Sequence, residues 1–241
     1  MFHADKTRDL LVEWMREKVE SAKANGVIYG LSGGIDSAVI AGLAQLAFPN
    51  SSLGIIMPCH SDPKDKEDAL LVAEALKIKT REIDLAPAFD YLTQTTGEEP
   101  KTMGAHNLKP RLRVATLNLI GQNLGYLVLG SSNASEWYTG YFTKFGDSAA
   151  DLIPLGHLVK AEVWELGKLL GVPEKIITKA PTAGLWAGQT DESELGISYK
   201  DIDNFLLYRT GDPKAIERIE QLNKRSTHKR QMPPMGPVIR D

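Results

Sequence analysis

The sequence predicts a doubly wound α/β fold: a mostly parallel sheet with helices on both faces, followed by a helical C-terminal region. Two observations lead there. Four short apolar runs, Val27 to Leu31, Leu53 to Met57, Thr80 to Leu85 and Tyr126 to Leu129, have the length and bounding residues of buried strands. Helix-like segments separate the first three of them, and parallel strands joined by right-handed crossovers place helices on both sides of a sheet.

The elements follow in order. Residues 5 to 24 carry Leu11, Trp14, Met15, Val19 and Ala22 at helical spacing, and Asn25-Gly26 supplies a stop. After the first strand a helix runs from Ile35 to about Phe48 and is stopped by Pro49. A second crossover helix is announced by Ser61-Asp62-Pro63, a cap followed by a proline in the first turn. Arg111 to Leu124 and His157 to Leu170 are amphipathic, the latter ended by Gly171-Val172-Pro173. Ser198 to Asp201 and Asp212-Pro213 open two final helices. Thr93 to Asn107 and Pro181 to Gly196 are polar and glycine-containing, and read as long loops of the functional kind. No repeat, low-complexity tract or linker calls for a cut, so residues 1–241 are expected to form a single domain.

Bulk properties narrow the function classes. A net charge of −3 gives no basic field for nucleic acid or an anionic membrane, so anionic ligands must be held by local clusters. No stretch reaches the roughly 18 apolar residues of a membrane span, and the amino terminus carries Asp5, Lys6, Arg8, Asp9 and Glu13. A soluble, cytoplasmic protein is expected. The lone Cys59 excludes an internal disulfide and a multi-cysteine zinc site; it reads as a structural thiol.

The most informative string is Gly30-Leu31-Ser32-Gly33-Gly34-Ile35-Asp36-Ser37, at the junction of the first strand and first helix. Glycines let backbone approach a ligand, two serines add hydroxyls, and the following helix offers free N–H groups at its positive end. A phosphate or pyrophosphate is the natural guest, with Mg²⁺ bridging it to Asp36. The string is neither a Walker A loop nor a dinucleotide fingerprint, because Gly-Lys-Ser/Thr and Gly-x-Gly-x-x-Gly are both lacking.

This loop resembles that of the PP-loop ATP pyrophosphatases. Four further stretches, Gly140-Tyr-Phe-Thr-Lys-Phe-Gly-Asp147, Pro181-Thr-Ala-Gly-Leu185, Asp191-Glu-Ser-Glu-Leu-Gly-Ile-Ser-Tyr199 and His228-Lys-Arg230, are similar to the ammonia-dependent NAD synthetases within that superfamily. The motifs span residues 30 to 230 in the family's order. The resemblance implies an adenine nucleotide alpha hydrolase-like fold and the ATP-driven amidation of deamido-NAD by ammonia through an adenylate, with AMP and pyrophosphate released.

It also implies residue roles. Gly30 to Ser37, Ser131, Lys160 and Thr182 would contact ATP, and Asp36 and Glu136 would hold Mg²⁺. Alone, Glu136 reads as a solvated acid at a helix start and Lys160 as a charge on a polar helix face; the resemblance gives both a site role. Arg113, Lys144, Asp151, His228 and Lys229 match deamido-NAD-binding positions, and the basic tail would reach a neighbouring subunit, implying a homodimer with shared active sites. Asp147 would take a proton from ammonium, or else serve as a structural loop aspartate. Ser132-Asn133 and Ser148-Ala149 depart from the family's usual Asp-His and Gly-Gly. No amidase nucleophile is evident, so free ammonia is the expected nitrogen source, with a separate glutaminase subunit left open. The rivals are a PP-loop ligase for another acceptor, including an RNA base, and a nucleotide-binding module without chemistry.

Overall fold

The computed structural model describes residues 2–184 and 190–237. Strands β1 (Gly26–Gly30), β2 (Ser52–Ile56), β3 (Thr80–Glu82) and β4 (Tyr126–Leu129) form one parallel sheet in the order β3-β2-β1-β4. Eleven helices surround it among the described residues: α1 (Ala4–Ser21), α2 (Ile35–Ala47), α3 (Pro63–Ala75), α4 (Ala86–Thr96), α5 (Met103–Leu124), α6 (Ala134–Thr139), α7 (Lys160–Leu169), α8 (Glu174–Ile177), α9 (Asp191–Leu195), α10 (Tyr199–Tyr208) and α11 (Pro213–Arg225).

Side-chain alternation along the strands sorts the helices into two layers. Val27, Tyr29, Ile56 and Leu129 face α1, α2, α3 and α7, where Met15, Leu43, Val72 and Leu166 complete a core. Ile28, Ile55 and Val128 point the other way, onto Phe89 of α4 and Leu117 of α5, with Cys59 buried among them. Helix α2 is buried on nearly every side, which suits its run of Ala, Val, Ile, Gly and Leu. A third cluster, Leu195, Tyr199, Ile202, Phe205 and Ile219, joins α10 to α11 and forms the expected C-terminal helical region.

Three expectations need correction. Thr93 to Asn107 is no long loop: α4 ends at Thr96 with Gly97 in the left-handed region at φ 72°, and Thr102 caps α5 by accepting from the Ala105 N–H. Threonines survive inside α4 because Thr93 and Thr96 donate their hydroxyls back to the carbonyls of Phe89 and Leu92, at 3.1 and 2.7 Å. Helix α5 begins at Met103 rather than Arg111 and carries Pro110 inside it, where sequence reasoning places a boundary. The third strand stops at Glu82; Ile83 and Leu85 still donate their N–H groups to the carbonyls of Ile56 and Pro58, at 2.9 and 2.8 Å, so the chain stays beside β2. Of Pro181 to Gly196, residues 185–189 lie outside the described residues, and Asp191–Leu195 is helical.

Candidate active site

The strand order creates the crevice. The chain steps from β1 outward to β2 and β3, then returns to β4 on the other side of β1, so the loops leaving β1 and β4 diverge. Ligands of open α/β sheets sit at such switch points, beyond the carboxyl ends of the strands.

The loop after β1 holds itself open by its own hydroxyls. Ser37 Oγ donates to the Gly34 carbonyl at 2.9 Å and lies 3.0 Å from Ser32 Oγ, while the Ser32 N–H donates to Ser37 Oγ at 3.2 Å. No side chain caps α2, so its first N–H groups remain for an anion. Gly33 is required: its φ is 80°, and a Cβ there would stand 2.5 Å from the Asp65 carbonyl. Gly33→Ala is expected to lower the melting temperature and abolish ATP binding by calorimetry, since the left-handed backbone alone costs about 1–2 kcal/mol and α3 blocks relaxation.

Facing this loop is a cluster of three charged side chains from three helix starts. Asp36 lies in the first turn of α2, Glu136 in the first turn of α6, and Lys160 is the first residue of α7. The Lys160 ammonium, its side chain 1% exposed, lies 2.6 Å from Asp36 Oδ2 and 3.2 Å from Glu136 Oε1. Asn133 ties the two acids together. Its Nδ2 donates to Asp36 Oδ1 at 2.8 Å, its Oδ1 accepts from the Glu136 N–H at 3.0 Å, and Glu136 Oε2 accepts from the Asn133 N–H at 3.3 Å in a capping box.

Lys160 is itself aimed from a distance. The Asp203 carboxylate of α10 accepts from the N–H groups of Lys160 and Ala161, at 3.3 and 2.8 Å, and from the Ser135 hydroxyl at 2.6 Å. It thereby satisfies and charge-complements the start of α7. Tyr199 lies beneath, its ring centroid 4.7 Å from Lys160 Nζ; its hydroxyl donates to Asp191 Oδ2 at 2.8 Å and lies 3.4 Å from Glu136 Oε1.

Burial and the neighbouring Asp36 push the Glu136 carboxyl up to about 8. Burial alone would lower the Lys160 ammonium, but Asp36 and Glu136 hold it above the ordinary lysine range. Burial also raises Asp191. Three carboxyl groups thus face one ammonium here, and further positive charge would favour their ionised forms. Magnesium fits. Asp36 and Glu136 already converge on one cationic centre. Two carboxylates completed by water and substrate phosphate is how Mg²⁺ is commonly held at nucleotide sites.

A cavity of about 510 Å³ opens from this cluster toward a second wall. Ser131, Thr182, Arg113, Asp147 and Lys229 all line it, as do Gly30, Ser32, Gly34, Ile35, Asp36 and Ser37 of the loop. Leu31 instead points into the core, and Gly33 packs on α3. Arg113 donates to the Met57 carbonyl at 3.3 Å and to Ser61 Oγ at 3.2 Å. The Asp147 carboxylate accepts from the Thr143 N–H at 2.8 Å; protein packed around the cavity raises its carboxyl above the usual aspartate range. Lys229 reaches in from the tail and donates to the carbonyls of Gly140 and Phe142.

Three residues expected at the substrate do not line this cavity. The Lys144 ammonium donates to the His228 carbonyl at the surface, and Asp151 accepts from the Val128 N–H at 2.8 Å, bracing the edge of β4. Sequence reasoning gave no role to Asp203, Tyr199, Asp191 and Asn133. Asp191 and Tyr199 bound a stretch already noted and Asn133 stood out as a departure; Asp203 gave no signal. Cys59 is fully buried, and burial pushes its thiol up, so it is a packing residue.

A parallel sheet whose switch point carries a serine-glycine loop at an uncapped helix start, paired acids and a buried lysine has the build of an α/β nucleotide-site enzyme. The NAD synthase family model matches residues 8–233, and the chain belongs to that family. It is 48% identical over 233 residues to the NH(3)-dependent NAD(+) synthetase of Carboxydothermus hydrogenoformans, covering 95% of this chain and 96% of that one. Among solved structures, the NMN synthetase of Francisella tularensis aligns with TM-score 0.94 and 41% identity, covering 99% of this chain and 100% of that one. The NH3-dependent NAD synthetase of Campylobacter jejuni aligns at 0.83 and 29%, covering 98% and 100%.

Proposed function

We infer that the chain makes NAD from deamido-NAD, ATP and ammonia, releasing AMP and pyrophosphate. The observation that carries this reading is the convergence of Asp36, Glu136 and Lys160 on the mouth of an uncapped phosphate loop, in a chain nearly half identical to an NH(3)-dependent NAD(+) synthetase.

A carboxylate resists ammonia until it gains a leaving group. The nicotinate oxygen attacks the α-phosphorus, the bond to the β-phosphate breaks, and pyrophosphate leaves with the electron pair. The loop N–H groups and the Ser32 and Ser37 hydroxyls hold the phosphates, while Lys160 offers charge to them. Magnesium, held by Asp36 and Glu136, would supply the remaining charge neutralisation. Ammonia then attacks the acyl carbon and AMP departs. Asp147, its carboxyl raised, accepts the proton from ammonium, while Arg113 and Lys229 orient the nicotinate nucleotide on the opposite wall.

The test places oxygen-18 in the nicotinate carboxylate of deamido-NAD. The label is expected in AMP alongside NAD; formation of ADP and phosphate, or of no NAD, overturns the reading. A second substrate is favoured by the likeness to the Francisella tularensis NMN synthetase: nicotinate mononucleotide, with the same carboxylate and a shorter tail. Comparing kcat/KM for the two nicotinate nucleotides decides between them.

The tail suggests shared sites. Lys144 and His228 cluster at the surface, and Met232 and Met235 beyond them are 85% and 94% exposed. This arrangement fits a homodimer in which His228 and the exposed end of the tail meet a neighbour's substrate site while Lys229 serves its own chain's cavity. Mixing inactive Asp36→Asn with inactive His228→Ala protein is expected to restore part of the activity; no recovery after verified subunit exchange argues against sharing. No helix among the described residues is long and apolar enough to cross a membrane.

A further inference from the structure

Beside the phosphate loop stands an ion cluster that the reaction above leaves unused. Lys179 lines the cavity, and its Nζ lies 2.9 Å from Asp65 Oδ1 and 2.7 Å from Asp68 Oδ2 of α3. Asp68, 2% exposed, also holds the Lys175 ammonium at 2.6 Å. Burial would raise the Asp68 carboxyl, yet the two lysines hold it below its ordinary value. Burial likewise opposes charge on Lys179, and the two acids outweigh it, so the ammonium stays charged.

The placement of this charge is what matters. One ammonium neutralises Asp68, and Lys175, itself largely exposed, supplies it from the solvent side. Lys179 is the partner that faces the cavity. The same turn of α3 abuts the loop: a Cβ on Gly33 would meet the Asp65 carbonyl at 2.5 Å and Asp68 Cβ at 2.8 Å. Asp65 and Asp68 therefore hold a point charge at the flank of the loop.

We propose that Lys179 binds the pyrophosphate leaving group of ATP. The inference rests on the reading of the cavity as an ATP site. When the bond between the α-phosphorus and its bridging oxygen breaks, the electron pair stays on that oxygen and the charge of the departing pyrophosphate increases. The Lys179 ammonium swings from Asp65 and Asp68 to those oxygens and keeps its proton, so no further reactant enters the balance. A flexible ammonium suits such a crossing better than a planar guanidinium fork.

Product inhibition tests this in the full chain. Lys179→Ala is expected to weaken inhibition by pyrophosphate about 10-fold or more and to lower kcat by about 10²-fold, the low end of the loss for one preorganised charge-stabilising group. Inhibition by AMP and the KM of the nicotinate substrate are expected to stay within about twofold, since this flank is assigned to the ATP leaving group alone. Lys179→Arg is expected to recover most of the pyrophosphate inhibition. If the alanine variant does not fold, Lys179→Gln takes its place with the same readings. Unchanged pyrophosphate inhibition in the folded variant overturns the proposal. A wild-type protein that forms no AMP and pyrophosphate would instead overturn the underlying reading, before any variant is compared.

Discussion

Glu136→Gln is expected to lower the rate of NAD formation by about 10²–10³-fold, the loss typical of removing one charge-stabilising group from a preorganised site. Asp36→Asn should do the same. The two effects should be far from additive, because the acids share Asn133 and converge on one cation. Stability should move differently from activity. A carboxyl raised from 4.5 to about 8 binds its proton more tightly in the folded chain than in the unfolded one. Its contribution is therefore fully present below pH 4.5 and is lost as pH rises toward 8. Glutamine keeps the uncharged form at every pH. Urea unfolding of the metal-free protein should thus show Glu136→Gln flatter than wild type from pH 5 to 8, and no less stable at pH 8. Near-normal turnover in either single variant would remove Asp36 and Glu136 from the chemistry.

Lys160→Met should damage the fold as well as the reaction. Taking one partner from a buried ion pair costs about 3–5 kcal/mol, and here Asp36, Glu136 and Asp191 would lose the ammonium that favours their ionised forms. The lower end applies, because Asp36 and Glu136 keep 17% and 15% of their side-chain surface. The loss should appear as a lower urea midpoint at unchanged slope. Measured well above pH 8, where Glu136 ionises, adding Glu136→Gln to Lys160→Met should return part of it, since one of the repelling charges is then gone. A double variant no more stable than Lys160→Met alone would show that the lysine serves packing rather than charge.

What could be read from the sequence is what the chain settles locally. The glycine loop, the first, second and fourth strands and the cap before Pro63 each fit within a few residues, and each appears where the pattern puts it. Asp36 follows from the chemistry of the loop and Lys160 from the resemblance, and they meet across 124 positions. The tie between Asp203 and Ala161 spans 42 positions and that between Lys179 and Asp68 spans 111, and no local periodicity announces either. Helix α4 is hidden in the sequence for a different reason. Its polar threonines resemble loop composition, and only their back-bonding to carbonyls one turn earlier makes them compatible with a helix.

The bond from Asp203 to the start of α7 has a further consequence for anyone recombining relatives of this enzyme. A graft of the C-terminal helices brings a new electrostatic setting for Lys160, because α10 carries both Asp203 and Tyr199. Such a transplant inherits its donor's lysine alignment, even when every residue that touches substrate comes from the recipient. Crossover points are therefore safest where α7 and α10 travel together as one cassette, and shuffled libraries cut between them should be rich in folded but inactive chains.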